Sequence, residues 1–237
     1  MESYSEFMNR ISSFERPQLG IDFDNFRPSN SVLQKVDENN GFSPFYGDTV
    51  VFELDSVDKR AVDAIIDQLY GRVDNCFCEK LNMATLHMTL HDLTNSANQD
   101  EILSQMFKNQ SAIMQMVMRD QIKSETILMK SNYIINMVNT SLVLCFYPAD
   151  EKEYEKLMRL YSLMDEVVSL PYPFTPHITL AYFNRYGFDR KAAFELGSVV
   201  EELNKHQFEI ILSTERLHYQ RFASMNDYSN VLRLVQC

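Results

Sequence analysis

Two short stretches of the chain repeat one pattern: a histidine, an apolar residue, a threonine and then a leucine. The first contains His87 and Thr89, and the second contains His177 and Thr179. Their apolar and β-branched content indicates β-strands. Successive side chains of a strand point to opposite faces, so the histidine and threonine of each stretch share one face while the apolar residues anchor the other. Two such strands facing each other across a cleft would present two imidazoles and two hydroxyls to one ligand.

These four side chains suit the chemistry of a phosphodiester. In-line displacement at phosphorus needs a base that takes a proton from the attacking water or hydroxyl, and an acid that protonates the departing oxygen. Histidine titrates near neutral pH and can do either. Threonine hydroxyls can donate hydrogen bonds to the non-bridging phosphoryl oxygens and stabilise the charge that develops there. The scheme needs no metal ion. A single His-x-Thr on a strand is usually structural, so the inference depends on the matched pair.

The paired motifs and the segment 174–181 (FTPHITLA) resemble the two-histidine (2H) phosphoesterase superfamily, in particular an uncharacterised bacterial-type branch. This superfamily includes cyclic phosphodiesterases and the 2′-5′ RNA ligase-like proteins. The resemblance covers about residues 45–235 in layout. It implies a bilobal α+β fold with the two motifs on facing strands of a central cleft. It also implies that His87 and His177 are the acid/base pair and that Thr89 and Thr179 bind the phosphate.

The resemblance implies hydrolysis of a cyclic or 2′-5′-linked nucleotide phosphodiester, without a cofactor. The expected partner is a small nucleotide or an RNA end. Three alternatives remain open at this point. The cleft could bind nucleotides or RNA ends without turnover, or the protein could be a defence factor that cleaves cyclic oligonucleotides. The motif pair could also be coincidental, in an acidic interaction protein.

The elements that would position the motifs occur twice, at nearly equal spacing. In each copy a strand is followed by a helix and then by the motif strand, which indicates a duplicated unit with pseudo-twofold symmetry. The first copy comprises 49–54, 57–70 and 84–93; the second comprises 141–146, 150–168 and the strand of His177. Apolar periodicity predicts further helices at 100–121 and 189–206, and strands at 125–136, 208–213, 215–222 and 229–235.

Together these elements predict an α+β fold of two pseudo-twofold-related lobes, with antiparallel sheets lining a central cleft and helices outside. Residues 46–237 are expected to form this single bilobal domain. Residues 1–45 are expected to be an N-terminal extension packed on it, with a short helix around 5–14. The methionine-rich helix at 100–121 is expected to fill core space.

Composition limits the partners. A formal net charge of −11 argues against duplex nucleic acid, because such binding depends on neutralising many phosphates. No apolar run is long enough to span a bilayer, and the first residues lack the features of a signal peptide. A cytoplasmic, monomeric protein without membrane contact is the expectation. The cysteines show no metal-site spacing and are expected to be reduced: Cys76, Cys78, Cys145 and Cys237.

Other residues near the motifs are weaker candidates. His91 has helical metal-ligand spacing from His87, but on a strand the two imidazoles lie about 13 Å apart, so no metal site is predicted. Strict alternation places His91 and Phe183 on the faces of the motif histidines, at the rim of the cleft, and places Tyr182 in the core. His91 could equally be a solvated strand residue, and Phe183, at the strand end, could simply cap the lobe. Four cations could supply positive charge to the cleft, and the sequence does not choose among them: Lys130, Arg185, Arg216 and Arg221.

Overall fold

The computed structural model describes residues 2–14, 19–22 and 24–235. The described residues form six α-helices and ten β-strands. The helices are α1 (Tyr4–Ser12), α2 (Asn30–Lys35), α3 (Ser56–Val73), α4 (Gln99–Asp120), α5 (Glu151–Asp165) and α6 (Arg190–Leu203). The strands are β1 (Asn25–Phe26), β2 (Tyr46–Glu53), β3 (His87–Ser96), β4 (Thr126–Met137), β5 (Ser141–Pro148), β6 (His177–Tyr182), β7 (Phe188–Asp189), β8 (Glu209–Ser213), β9 (Leu217–Ser224) and β10 (Asp227–Arg233).

Eight of these strands form two four-stranded sheets, one in each lobe. Their strand orders are β10-β9-β2-β3 and β6-β5-β4-β8, and all neighbouring strands are antiparallel. Each motif strand, β3 or β6, lies at one edge of its sheet and pairs with the strand that begins its repeat. The two motif strands also contact each other. The predicted α+β class and the bilobal arrangement of antiparallel sheets are therefore confirmed.

The helices begin where polar caps satisfy their first backbone N–H groups, which have no partner inside the helix. The capping side chains of the longer helices are Asp55, Asn98, Asp150 and Asp189. Apolar spacing predicts the inward faces of α5 and α6, and all of these residues except Val168 are buried: Leu157, Leu160, Tyr161, Met164 and Val168 for α5, and Ala192, Ala193, Leu196, Val199, Val200 and Leu203 for α6. In α4 the prediction of core filling holds for Met106 and Met116, whereas Met114 and Met118 are exposed.

The face predicted for α3 is wrong in its first turns. The apolar spacing of the sequence predicts a core face through Val57, Ala61, Ile65 and Leu69, yet Val57 is 62% exposed and Ala61 is exposed as well. The buried stripe instead runs through Val62, Ile66, Leu69 and Val73. This stripe keeps helical spacing, but over the first turns it is displaced by one residue from the predicted face and joins it only at Leu69.

The N-terminal residues pack against both lobes. Phe7 of α1 is buried, and its ring lies 5.1 Å from that of Tyr154 on α5, in the second lobe. On the other side, the Phe45 backbone N–H donates to the carbonyl of Ala223, in the first lobe. The division of the chain at residue 45 stays a prediction, but these contacts bring the first 45 residues close to the cleft.

Both motif strands contain a β-bulge directly after the His-x-Thr. In β3, Thr89 pairs with Val51 and His91 with Val50, so one extra residue stands between them. In β6, Thr179 pairs with Val143 and Ala181 with Leu142. A bulge of this kind breaks strict alternation, because two residues of one strand oppose one residue of the other. Beyond each bulge, the side chains that face the same side as the motif are therefore one position further along the chain than strict alternation predicts.

Candidate functional site

The cleft between the lobes contains a cavity of about 730 Å³ that is lined by both motifs. His87, Thr89, His177 and Thr179 all contribute to its wall. The structure thus brings together the four residues that the sequence singled out. The volume lies in the range typical of small-ligand sites.

Each motif histidine is fixed by the backbone two residues before it. His87 Nδ1 lies 2.7 Å from the carbonyl oxygen of Thr85, and His177 Nδ1 lies 2.7 Å from that of Thr175. A carbonyl oxygen can only accept, so each Nδ1 carries the proton and donates. Each neutral imidazole therefore has its lone pair at Nε2, where it can take a proton from a ligand.

Burial in the cleft lowers the pKa of both motif histidines. It lowers the pKa of His87 to about 4, an effect that the Thr85 carbonyl and Asp92 oppose and that the charge of His177 strengthens. Burial also lowers the pKa of His177, against the opposing effects of the Thr175 carbonyl and Asp92. Both imidazoles are therefore neutral at pH 7 in the ligand-free protein.

The two motif threonines differ from the threonines that precede each histidine. Neither Thr89 nor Thr179 forms a side-chain hydrogen bond within the described part of the chain, and both line the cavity. Thr85 Oγ1, by contrast, donates to the carbonyl of Asn82 at 2.8 Å. The shared pattern is thus Thr-x-His-x-Thr, and the first threonine of each copy is a signal that the sequence prediction missed.

In the second lobe the segment before the histidine is held by the N-terminal helix. Arg10 of α1 donates from Nη2 to the carbonyl of Phe174 at 2.8 Å and from Nη1 to Thr175 Oγ1 at 3.1 Å. The guanidinium is itself paired with Glu2 at 2.8 Å. Because the Thr175 carbonyl orients His177, Arg10 acts on the site through a residue that contacts the imidazole. The first 45 residues therefore supply part of the cleft.

The prediction that Phe183 lies at the cleft rim is wrong. Its side chain is fully buried, with its ring 4.6 Å from that of Phe26 and 6.2 Å from that of Phe77. Tyr182, which was assigned to the core, lines the cavity instead. The bulge in β6 is the cause, because Tyr182 pairs with Ser141 and shares its face.

The equivalent bulge in β3 brings Asp92 into the cleft. Asp92 pairs with Thr49, and both residues line the cavity. His91 also belongs to the wall, but it is only 1% exposed and its ring lies 5.0 Å from that of Tyr161. His91 is therefore a buried wall residue and not a solvated one. Asp92 and Tyr182 occupy equivalent positions of the two repeats. The two sides of the cleft therefore present different side chains, a carboxylate and a phenol, although their backbones are related.

Aromatic side chains cover much of the remaining wall. The rings of Tyr161 and Phe174 stack with centroids 4.8 Å apart, and the ring of Tyr228 lies 4.9 Å from that of His87. Tyr172 also lines the cavity, and burial together with the negative charge of Asp92 raises its pKa to about 12. Protonated phenols and flat rings of this kind can stack on a nucleobase and donate hydrogen bonds.

The positive charge in the cleft comes from the N-terminal residues. Arg10 and Lys35 are the cations that line the cavity within the described part of the chain. The four candidates from the sequence lie elsewhere, bound to backbone carbonyls or to other side chains: Lys130, Arg185, Arg216 and Arg221. No local sequence signal identifies Lys35, because its position depends on contacts far along the chain.

Metal-site geometry and membrane spans were also searched among the described residues. No group of three or more His, Cys, Asp and Glu side chains there could hold a metal ion. No helix of the described ranges is long and apolar enough to cross a membrane. Cys237 lies outside the described residues, and the other three cysteines are free and buried: Cys76, Cys78 and Cys145.

Comparison with solved structures finds the same fold in a conserved protein of unknown function, ATU0111, from Agrobacterium tumefaciens. The TM-score is 0.68 at 11% identity, over 88% of this chain and 94% of that one. TT0787 of Thermus thermophilus matches with a TM-score of 0.49 at 14% identity, over 80% and 99% of the two chains. Escherichia coli LigT matches with 0.44 at 14% identity, over 82% and 100%. No family model and no curated protein matches the sequence. The match to ATU0111 shows that the two chains share a fold.

Proposed function

We propose that the chain is a metal-independent phosphoesterase of the two-histidine type. The observation that carries this proposal is the matched pair of imidazoles in one cavity, each with Nδ1 bound to a backbone carbonyl at 2.7 Å. Two neutral imidazoles that present Nε2 to a shared ligand form a general acid/base pair. Two threonine hydroxyls line the same cavity.

In the proposed reaction His87 is the base and His177 is the acid. His87 removes a proton from water as the water oxygen bonds to phosphorus, and His177 protonates the ester oxygen as its bond to phosphorus breaks. The lower pKa of His87 suits the base, because that imidazole is unprotonated over a wider pH range. The anionic phosphate raises the pKa of His177 on binding, which provides the proton that the acid needs. The hydroxyls of Thr89 and Thr179 hold the non-bridging oxygens.

We propose a cyclic or 2′-5′-linked nucleotide as the substrate. Several tyrosine and phenylalanine rings line the cavity, and such rings stack on bases. The cavity volume of about 730 Å³ suits a ligand of nucleotide size. The sequence resemblance to cyclic phosphodiesterases and RNA ligase-like proteins points to the same class.

The test is hydrolysis of a panel of 2′,3′-cyclic nucleotides and 2′-5′-linked dinucleotides in excess EDTA. We expect the wild type to cleave at least one member, and His87→Ala and His177→Ala to lose that activity while remaining folded. His206→Ala is the matched control, because His206 is exposed and does not line the cavity. Nucleotide binding without any product would leave a binding protein and overturn the enzymatic proposal.

A further inference from the structure

Lys35, the last residue of α2, places its ammonium in the cleft without forming an ion pair with any described residue. The Nζ atom lies 5.1 Å from the ring centre of Phe45 and 5.4 Å from that of Tyr182. Within the described residues it has no hydrogen-bond acceptor and no carboxylate within ion-pair distance. The aromatic faces attract the cation but do not replace the acceptors that water would provide.

The other cation of the cleft differs from Lys35 in this respect. The guanidinium of Arg10 is paired with Glu2 and bonded to Phe174 and Thr175. A partly buried ammonium without such partners is costly, and burial lowers the pKa of Lys35, against the opposing effect of the Asp92 charge. Lys35 is therefore the cleft cation with free capacity for an anion.

The position of Lys35 separates it from the motif residues. Tyr182, over which the ammonium lies, is three residues beyond Thr179, and the bulge keeps both side chains on the cleft wall. Three residues of strand span about 10 Å at most. This span is of the order of the length of one nucleotide, so Lys35 is placed to meet a phosphate next to the one that the two threonines would hold.

We propose that Lys35 forms a second phosphate subsite, which binds a phosphate group one nucleotide away from the group held at the two motifs. The proposal rests on the proposed function for the position of the first phosphate. Asp92 is exposed in the same cleft, where its negative charge acts on Lys35 and on both motif histidines, and its carboxylate can accept hydrogen bonds from ribose or base donors. The preferred ligand is therefore a nucleotide with phosphates on both sides of its ribose.

The experiment compares the binding of 3′-AMP and adenosine 3′,5′-bisphosphate to the full chain by calorimetry. These probes carry the first phosphate as a product-like monoester, so no turnover is needed. We expect the wild type to bind the bisphosphate about 10- to 100-fold more tightly than 3′-AMP, because one charge-assisted hydrogen bond contributes a free energy of that size. In Lys35→Met, which keeps an unbranched apolar side chain, the two affinities should become equal, and Lys35→Arg should restore the difference.

Lys123→Met is the matched control, because it removes the same charge from an exposed lysine outside the cavity. It should keep the wild-type ratio. The dinucleotide ApAp, whose second phosphate is an internucleotide diester, distinguishes an RNA end from a mononucleotide as the natural ligand. Tighter binding of ApAp than of 3′-AMP identifies an RNA end. Tighter binding of the bisphosphate alone identifies a mononucleotide.

Two results would overturn the subsite: equal affinities in the wild type, or a preference that persists in Lys35→Met. A Lys35-dependent preference in a protein that cleaves nothing would sustain the subsite and refute the enzymatic function, so the two proposals fail separately.

Discussion

Replacing Arg10 tests whether the N-terminal helix holds the second motif in its working geometry. Arg10→Met removes the bonds to the Phe174 carbonyl and to Thr175 Oγ1, at 2.8 and 3.1 Å. It keeps much of the apolar stem that packs in α1. The Thr175 carbonyl, which accepts the Nδ1 proton of His177, then loses its support.

The expected size of the effect follows from these two bonds. A hydrogen bond from a charged donor contributes about 1.5–3 kcal/mol, and half of that or less where water can replace the donor. The Arg10 side chain is 21% exposed, so about 1 kcal/mol for each bond is a suitable value, and about 2 kcal/mol in total. If the whole loss is expressed in the transition state, kcat falls about 30-fold. We expect KM to change by less than about threefold, because the lost contacts hold the acid rather than the substrate.

The assay measures kcat and KM on the nucleotide that the wild type cleaves, together with the ¹⁵N signals of the His177 ring. The wild type should show one tautomer, protonated at Nδ1, and Arg10→Met a mixture, which a purely structural role of Arg10 would not produce. Arg10→Lys should be intermediate, since an ammonium can still reach one of the two oxygens. Arg27→Met is the control, because Arg27 belongs to the same N-terminal segment but donates to the Tyr186 carbonyl, outside the cavity. A folded Arg10→Met protein with wild-type kcat and a single His177 tautomer would refute the reasoning.

Three further predictions concern the site and the core. Because burial lowers the pKa of both motif histidines, and that of His87 to about 4, kcat/KM should peak below pH 6.5. Falling pH protonates the base and rising pH deprotonates the acid, so a peak above pH 7 would contradict the assignment. On the same substrate, Thr89→Val and Thr179→Val should each lower kcat about 100-fold, whereas the matching serine variants should keep most of the activity. An unchanged kcat in the valine variants would show that the hydroxyls take no part in the mechanism. Burial raises the pKa of the thiols of Cys76, Cys78 and Cys145 to about 12. Peptide mapping should therefore find all three unlabelled by a thiol reagent at pH 8 until denaturant is added. Rapid labelling of the native protein would contradict their placement in the core.

The longer helices and strands were predictable because their signals are local, whereas the short elements α2, β1 and β7 were not predicted. Apolar periodicity located the longer helices, and the repeated strand-helix-strand order located both motif strands. The matched motifs then predicted that His87 and His177 would line one cleft, as the structure finds.

The side chains beyond the motifs were not predictable by alternation. One extra residue in each motif strand moved Asp92 and Tyr182 into the cleft and left Phe183 in the core. A bulge is set by pairing with the neighbouring strand, so a single strand's sequence gives little sign of it. The bulge occurs at the same place in both repeats, which is why Asp92 and Tyr182, at equivalent positions, both reach the cleft.

The cations of the cleft were missed for a different reason. Arg10 and Lys35 lie far along the chain from the motifs, in residues without a repeat or a recognisable pattern. Their place in the cleft depends on how the N-terminal residues pack on both lobes, including the contact of Phe7 with Tyr154. Such long-range packing cannot be deduced from periodicity.

The most direct test of the account is a double-mutant cycle on the two motif histidines, measured in excess EDTA on the best substrate of the panel. The account predicts that His87→Ala and His177→Ala each lower kcat by about 10²- to 10⁴-fold and that the double variant is hardly worse than either, because one proton-transfer unit has been broken. Losses that multiply in the double variant, or activity that survives in either single variant, would contradict the claim that the two imidazoles act as an acid/base pair.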